Sequence, residues 1–151
     1  MQRIVMEQLM RWKKSKRRKP LIIEGARQVG KTWLMKEFGR QCYAKTVYVN
    51  FDSNSRMASL FETNLDTNRL ILGLELYVGH KINAEDTLLI FDEIQEVPRA
   101  LASLKYFCEN APQYHIVCAC SLLGIALHEG TSFPVGKVDF SSCIRSPFRS
   151  F

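Results

Sequence analysis

Four short apolar runs, rich in β-branched or aromatic residues, predict buried strands. They lie at 21–23, 46–51, 87–91 and 115–120. Such nearly continuous apolar runs are typical of strands that are covered on both faces. Between them lie stretches with apolar residues three or four positions apart, which predict helices. These stretches fall within 1–14, 31–39, 65–80 and 101–108.

The alternation of these strands and helices predicts the fold class. Strands that are joined through helices form parallel sheets, so we expect an α/β three-layer sandwich. A length of 151 residues is typical of one domain. We place an N-terminal helix and basic segment at 1–19, the α/β core at 20–140 and an atypical tail at 141–151.

Composition excludes several classes of protein. Hydrophobic residues make up 46% and charged residues 24%, which argues against a disordered or coiled-coil chain. No apolar run approaches the roughly 20 residues that cross a membrane. The charges near the N-terminus follow the apolar positions, which is the wrong order for a secretory signal. We therefore expect a cytoplasmic protein with no membrane partner.

The net charge of +6 permits an anionic partner. Six of the seven residues in 13–19 are Lys or Arg. This basic segment is either a nucleic-acid contact with salt-dependent affinity or a solvated loop between the first helix and the first strand.

The five cysteines predict buried thiols. They lie at positions 42, 108, 118, 120 and 143. Their number is odd and no Cys-x-x-Cys pair occurs, which does not fit a disulfide framework or a zinc site.

The segment GARQVGKT at 25–32 matches G-x-x-x-x-G-K-[ST], the phosphate-binding P-loop. It follows a predicted strand and opens a predicted helix, as the motif requires. Glycines let backbone N–H groups face a phosphate, and the helix N-terminus adds partial positive charge. We expect Lys31 to contact the phosphates and Thr32 to hold Mg²⁺. The predicted nucleotide-binding residues are Gly25, Ala26, Arg27, Gln28, Val29, Gly30, Lys31, Thr32 and Trp33.

The strand at 87–91 delivers two acids at its carboxyl end, Asp92 and Glu93. In P-loop proteins such an Asp, the Walker-B acid, helps to hold Mg²⁺. Glu93 is our candidate to polarise the attacking water. Without the upstream P-loop, acids at the end of a strand would indicate only a solvated turn.

Two polar residues, Asn50 and Ser121, end the second and fourth predicted strands. Ligands of open parallel sheets bind at the carboxyl ends of the strands. Both residues are therefore candidates to face the phosphates or the attacking water. The alternative is that each caps the end of its strand or a turn.

The motifs GARQVGKT, LLIFDEIQ with its trailing Val97-Pro98, and Ser121-Leu122-Leu123-Gly124 together resemble a prokaryotic family of AAA-type ATPases. Its members pair an N-terminal AAA domain with a C-terminal domain of unknown function. The resemblance covers about 10–140. It implies ATP rather than GTP, and Ser121 matches the family's sensor residue after the fourth strand. Members usually have Gly-Ser there, whereas this chain has Cys120-Ser121.

The resemblance also implies parts that the sequence does not supply. AAA-type enzymes carry a helical lid with a nucleotide-sensing arginine, and a neighbouring subunit often adds an arginine finger, which points to a homo-oligomer. Residues 135–140 resemble the approach to the family's fifth strand, but 141–151 do not. Arg145 and Arg149 are therefore not assigned as sensors.

The tail is expected to be a frame-shifted remnant. Synonymous codons for 141–151 can be chosen so that the neighbouring frame reads F-L-Y-P-L-S-F-Q-E-F. That reading resembles the sequence that family members carry after V-D-F. One deleted nucleotide just after the Phe140 codon is enough to relate the two reading frames. We therefore expect a truncated AAA domain whose tail lacks a packing partner.

Three functions remain open from the sequence. The first is Mg²⁺-dependent ATP binding with hydrolysis that is weak or absent because the domain is truncated. The second is nucleic-acid binding through 13–19 with ATP as a switch. The third is an interaction protein that keeps the fold without binding nucleotide.

Overall fold

The computed structural model describes residues 2–24, 30–121 and 137–142, which form alternating helices and strands. A short 3₁₀ helix, Ile94–Glu96, follows the third strand. The elements are α1 (Gln2–Lys14), β1 (Leu21–Glu24), α2 (Lys31–Cys42), β2 (Lys45–Asn50), α3 (Ser55–Thr63), α4 (Thr67–Val78), β3 (Thr87–Asp92), α5 (Pro98–Asn110), β4 (His115–Cys120) and β5 (Asp139–Ser142).

The five strands form one parallel sheet in the order β2-β3-β4-β1-β5. The predicted parallel sheet is thus confirmed. Its register places Asn50 beside Asp92 and Glu24 beside Cys120. Because all strands run the same way, the carboxyl ends of β1, β2, β3 and β4 lie at one edge of the sheet.

Helices cover both faces of the sheet, which confirms the three-layer sandwich. On one face, α1 and α2 bury Leu9 and Phe38 against Ile90 of β3. On the other face, α3, α4 and α5 pack against Phe91 and its neighbours. Successive residues of β3 thus enter opposite cores, so the strand must be apolar throughout.

Helix α2 runs to Cys42, so the prediction that it ends at Gly39 was wrong. Gly39 serves packing instead of termination. A Cβ atom at this position would lie 2.2 Å from Cγ2 of Thr46 on β2. The glycine therefore allows the helix to approach the strand closely.

Helix α3 was not predicted from the sequence. Its N-cap is Asn54, whose side-chain oxygen accepts a hydrogen bond from the backbone N–H of Met57 at 3.1 Å. Met57 and Phe61 are buried in the core. The signal was therefore present, as an Asn cap followed by two apolar residues four positions apart.

The strand boundaries differ slightly from those predicted. β1 continues through Glu24, and β2 spans Lys45–Asn50. Phe51 lies just beyond β2, where its backbone N–H donates to the carbonyl of Asp92 at 3.0 Å. Shifts of one residue are usual because hydrogen-bond pairing defines a strand's end, and hydrophobicity does not.

Ser141 and Ser142 contradict the expectation that the tail lacks a packing partner. Both belong to β5, in register with Ile23 and Glu24 of β1. Backbone N–H and C=O groups form this ladder, so it does not require apolar side chains. The remainder of the predicted remnant, at 143–151, lies outside the described residues, as do Arg145 and Arg149.

The basic segment 13–19 is held at several points. The indole Nε1 of Trp12 donates to the carbonyl of Lys19 at 2.7 Å, and Nη1 of Arg18 donates to the carbonyl of Lys13 at 3.1 Å. Lys13, Arg18 and Lys19 are partly buried. The loop is thus less solvated than expected, although Lys14, Lys16 and Arg17 are exposed.

The cysteines only partly match their prediction. Cys118 and Cys120 are buried, whereas Cys42 and Cys108 are half-buried. All four are free thiols in the structure, and Cys143 lies outside the described residues. The two half-buried thiols lie on helices α2 and α5, which have a solvent-facing side, whereas the buried pair lies on the central strand β4.

Within the part of the chain that the structure describes, no helix is both long enough and apolar enough to cross a membrane.

Candidate functional site

Gly30 and Lys31 open helix α2 at the carboxyl edge of the sheet. Gly30 has φ +77°, in the left-handed region that favours glycine, and its carbonyl accepts the backbone N–H of Leu34 at 3.0 Å. The side chain of Lys31 is 4% exposed, and its Nζ donates to the carbonyl of Cys120 at 3.2 Å. The helix start and the end of β4 are thereby joined through a buried cation. Gly25, Ala26, Arg27, Gln28 and Val29 lie outside the described residues.

Thr32 is joined to the strand that carries the predicted acids. Its Oγ1 donates a hydrogen bond to Oδ2 of Asp92, with 2.5 Å between the two oxygen atoms. The contact links the second residue of α2 to the last residue of β3. The structure thus brings together the two side chains that the sequence assigns to magnesium.

The carboxylate of Asp92 is 3% exposed and accepts two further hydrogen bonds. The hydroxyl of Tyr48 donates to Oδ2 at 2.6 Å, and the backbone N–H of Glu93 donates to Oδ1 at 3.0 Å. Hydrogen bonds of this kind compensate a buried carboxylate for its lost hydration.

Tyr48 was missed in the sequence. The alternation of β2 was the available signal, because Val47 and Val49 enter the core on the α3–α5 side and Tyr48 must therefore face α2. Burial, followed by hydrogen bonding to Asp92, raises the pKa of Tyr48 above its ordinary value. The hydroxyl therefore remains protonated, as a donor, at neutral pH.

The oxygen atoms of Thr32 and Asp92 are suitable ligands for a magnesium ion. Mg²⁺ prefers hard oxygen ligands and is usually held by one or two protein groups together with substrate phosphates. A hydroxyl and a carboxylate that already touch, beside the lysine at the start of α2, match that requirement.

Glu93 follows Asp92 with an unusual backbone. Its φ is +53°, which is uncommon for a residue with a side chain and is enriched at functional sites. Its Oε1 accepts a hydrogen bond from Nε2 of Gln95 at 2.7 Å. The candidate base is thus oriented by a neighbour two residues along the chain.

Gln95 is a second residue that the sequence reasoning missed. Its side chain is 1% exposed, and its Oε1 is buried without a hydrogen-bond partner among the described residues. A buried acceptor without a hydrogen-bond partner destabilises the fold, because its lost hydration is not replaced. Its place at the end of LLIFDEIQ, two residues after Glu93, was the available signal.

Asn50, Ser121 and Trp33 lie at the same edge of the sheet. Asn50 is in register with Asp92. Its Oδ1 accepts a hydrogen bond from the backbone N–H of Asp52 at 2.9 Å, which is typical of a residue that stabilises a turn. Ser121 is buried directly after β4, next to the carbonyl that Lys31 contacts. The side chain of Trp33 is 52% exposed.

Two solved structures resemble the chain in fold. The Aeropyrum pernix ORC1 protein, solved in complex with DNA, matches with a TM-score of 0.50 and 15% sequence identity, over 92% of this chain and 43% of that one. C. elegans PCH-2 matches with a TM-score of 0.48 and 17% sequence identity, over 93% of this chain and 42% of that one. The chain thus spans less than half the length of either protein. The comparison with curated proteins found no match.

The family comparison covers the site and most of the chain. The sequence model described as "AAA domain" matches residues 17–149. This range contains the P-loop segment, the acids Asp92 and Glu93, and Ser121, and it extends past Phe140 into the tail. The chain therefore belongs to the AAA domain family.

Proposed function

We propose that this chain is an ATP-binding AAA domain whose binding depends on Mg²⁺, with weak or absent hydrolysis by the chain alone. The contact between Thr32 and Asp92 carries the proposal. It joins a hydroxyl at the start of α2 to a carboxylate at the end of β3, next to the buried amine of Lys31.

Each side chain has a role that follows from its chemistry. Lys31 offsets the negative charge of the phosphates. Thr32 and Asp92 hold the cation, and Mg²⁺, when bound, supplies further positive charge to the phosphate oxygens. Glu93 is the candidate to orient and deprotonate water, while Asn50 and Ser121 are candidates to contact the phosphates or that water.

Slow turnover by the chain alone is expected if catalysis needs a group from a neighbouring subunit. The arginine finger of such enzymes often comes from a neighbouring subunit and accounts for a large rate factor in related systems. We propose that hydrolysis requires a second copy of the chain.

Titration calorimetry with ATP tests the binding proposal. Lys31→Met keeps the apolar stem and removes the ammonium, and should weaken ATP binding more than tenfold, because hydrogen bonds to charged groups contribute about 1.5–3 kcal/mol each. Lys105→Met, at an exposed position of α5, is the matched control and should bind like the parent. Equal binding by Lys31→Met and the parent would refute the phosphate role of Lys31.

A second candidate function is nucleic-acid binding through the basic segment. It is supported by the exposure of Lys14, Lys16 and Arg17 on a loop that Trp12 and Arg18 hold in place. The related ORC1 structure contains DNA. The segment lies at the amino end of β1, so such binding would leave the carboxyl edge free for ATP.

A salt series on DNA and RNA binding tests this second function. When the logarithm of the binding constant is plotted against the logarithm of the salt concentration, each contact to a phosphate of duplex DNA contributes about −0.9 to the slope. Replacing Lys16 and Arg17 by Glu should make that slope shallower by the amount expected for about two lost phosphate contacts. Lys81→Glu, at an exposed position after α4, should leave the slope unchanged. Binding that is insensitive to salt would exclude this function.

A further inference from the structure

Tyr48 reaches the predicted magnesium site from a neighbouring strand. It lies on β2 in register with Ile90, two residues before Asp92 on β3. Its hydroxyl nevertheless donates to Oδ2 of Asp92 at 2.6 Å. The side chain therefore leans along the strand towards the carboxyl edge of the sheet, where the candidate site lies.

The hydroxyl completes the set of donors around Asp92. Oδ2 accepts from both Thr32 and Tyr48, and Oδ1 accepts from the backbone N–H of Glu93. A carboxylate held through both of its oxygens cannot rotate without breaking one of these bonds. Tyr48 and the backbone together thus keep Oδ2 directed at Thr32.

The ring of Tyr48 is itself held in place. Nζ of Lys36, one turn along α2 from Thr32, lies 4.1 Å from the ring centroid, within the range of a cation–π contact. This contact involves the face of the ring and does not use the hydroxyl. Replacement by phenylalanine therefore keeps the ring and removes the hydroxyl together with its hydrogen bond to Asp92.

We propose that Tyr48 is a positioning residue for magnesium, because its hydroxyl holds Asp92 in the orientation that meets Thr32. This role rests on the proposed Mg²⁺-dependent ATP binding. Groups that orient a metal ligand without touching the metal typically change metal affinity by 10- to 100-fold when removed. The predicted effect of Tyr48 is therefore on the gain in ATP affinity that Mg²⁺ provides.

The test measures ATP affinity by calorimetry twice for each protein, in excess EDTA and in saturating Mg²⁺. The ratio of the two affinities is the gain due to the metal. For Tyr48→Phe we expect this ratio to fall about tenfold from that of the parent. The affinity in EDTA should stay unchanged, because Tyr48 contacts Asp92 and has no assigned role at the phosphates.

Tyr77→Phe is the matched control. Tyr77 also carries a cation over its ring, Arg56, and its hydroxyl accepts a hydrogen bond from Asn54 at 3.2 Å. This tyrosine has no contact with Asp92, so its loss should leave the ratio as in the parent. Thermal unfolding of each variant gives an independent measure of the fold.

The outcomes separate this role from the proposed function. A parent that does not bind ATP overturns both. A parent that binds ATP equally in EDTA and in Mg²⁺ overturns the role of Tyr48 while nucleotide binding stands. If Tyr48→Phe lowers both affinities equally, or keeps the parent's ratio, the hydroxyl does not position Asp92 and the proposal is wrong.

Discussion

The hydroxyl of Thr32 and the carboxylate of Asp92 lie 2.5 Å apart although 60 residues separate them in the chain. One belongs to the first turn of α2 and the other to the last position of β3. Since α2 packs on β3 through the core that contains Phe38 and Ile90, the contact depends on how helix and sheet are packed. A ligand held by this pair would therefore stabilise the packing of α2 on the sheet.

The two acids at the carboxyl end of β3, Asp92 and Glu93, should differ in their effects. Asp92→Asn should remove most of the affinity gain that Mg²⁺ provides, because a neutral amide is a poor ligand for a hard cation. Its affinity for ATP in EDTA should change little. Calorimetry in EDTA and in Mg²⁺ measures both quantities.

Glu93→Gln should keep the full Mg²⁺ gain and remove residual ATP turnover, because an amide cannot accept the proton from water. A phosphate-release assay on the parent and the variant checks the rate. Equal effects of Asp92→Asn and Glu93→Gln on metal dependence would contradict the division of roles.

His115 should make stability depend on pH. Burial, together with the positive charges of Arg18 and Lys13, lowers the pKa of His115 from 6.5 to about 4. The folded state thus binds fewer protons than the unfolded state between these values, so the free energy of unfolding falls as pH decreases from about 6.5 to about 4. Allowing for its partial exposure, we expect a loss of about 1–2 kcal/mol over that interval.

Urea unfolding at several pH values measures this dependence. His115→Gln keeps a polar partner for the hydroxyl of Tyr43, which lies 2.6 Å from Nδ1 of His115, and should flatten the pH dependence. His80→Gln, at an exposed position, serves as the control and should leave it as in the parent. A pH profile that is unchanged in His115→Gln would assign the dependence to other groups.

Gly39→Ala should destabilise the fold through a steric contact with β2. The new Cβ would lie 2.2 Å from Cγ2 of Thr46, and relief of such a clash typically costs about 1–3 kcal/mol. Adding Thr46→Ser removes the methyl group and should restore stability. The double variant should be at least as stable as Thr46→Ser alone, because Ala is a better helix former than Gly. Urea unfolding midpoints of the parent, the two single variants and the double variant check this. If the stability changes of the two single substitutions add up in the double variant, the two residues do not clash.

The four described cysteines should react in two classes with an alkylating reagent. Burial raises the pKa of Cys120 to about 12 and raises that of Cys118 well above its ordinary value, so neither forms a thiolate at neutral pH. Cys42 and Cys108 are half-buried and should react first. Mass-spectrometric peptide mapping after short exposure to iodoacetamide checks the order. Early labelling of Cys118 in the native protein would contradict its burial in the sheet.

Local features of the sequence were sufficient to predict the architecture. The apolar runs at 21–23 and 87–91 are short and continuous, and such runs are stable only when both faces of a strand are covered. The P-loop spacing and the acids at the carboxyl end of β3 likewise depend on neighbours in the chain. The order of the strands could not be predicted from these local features. β4 lies between β3 and β1, and this order is determined by the packing of the sheet.

The partners of the predicted residues were decided by tertiary structure. Asp92 could be assigned from its place after an apolar strand, but the hydrogen bond from Tyr48 depends on the register between β2 and β3. The role of Gly39 depends in the same way on the distance between α2 and Thr46. Sequence periodicity determines which face of an element is buried. Which atoms meet across two elements depends on their packing, because hydrogen bonds and steric contacts change within less than an ångström.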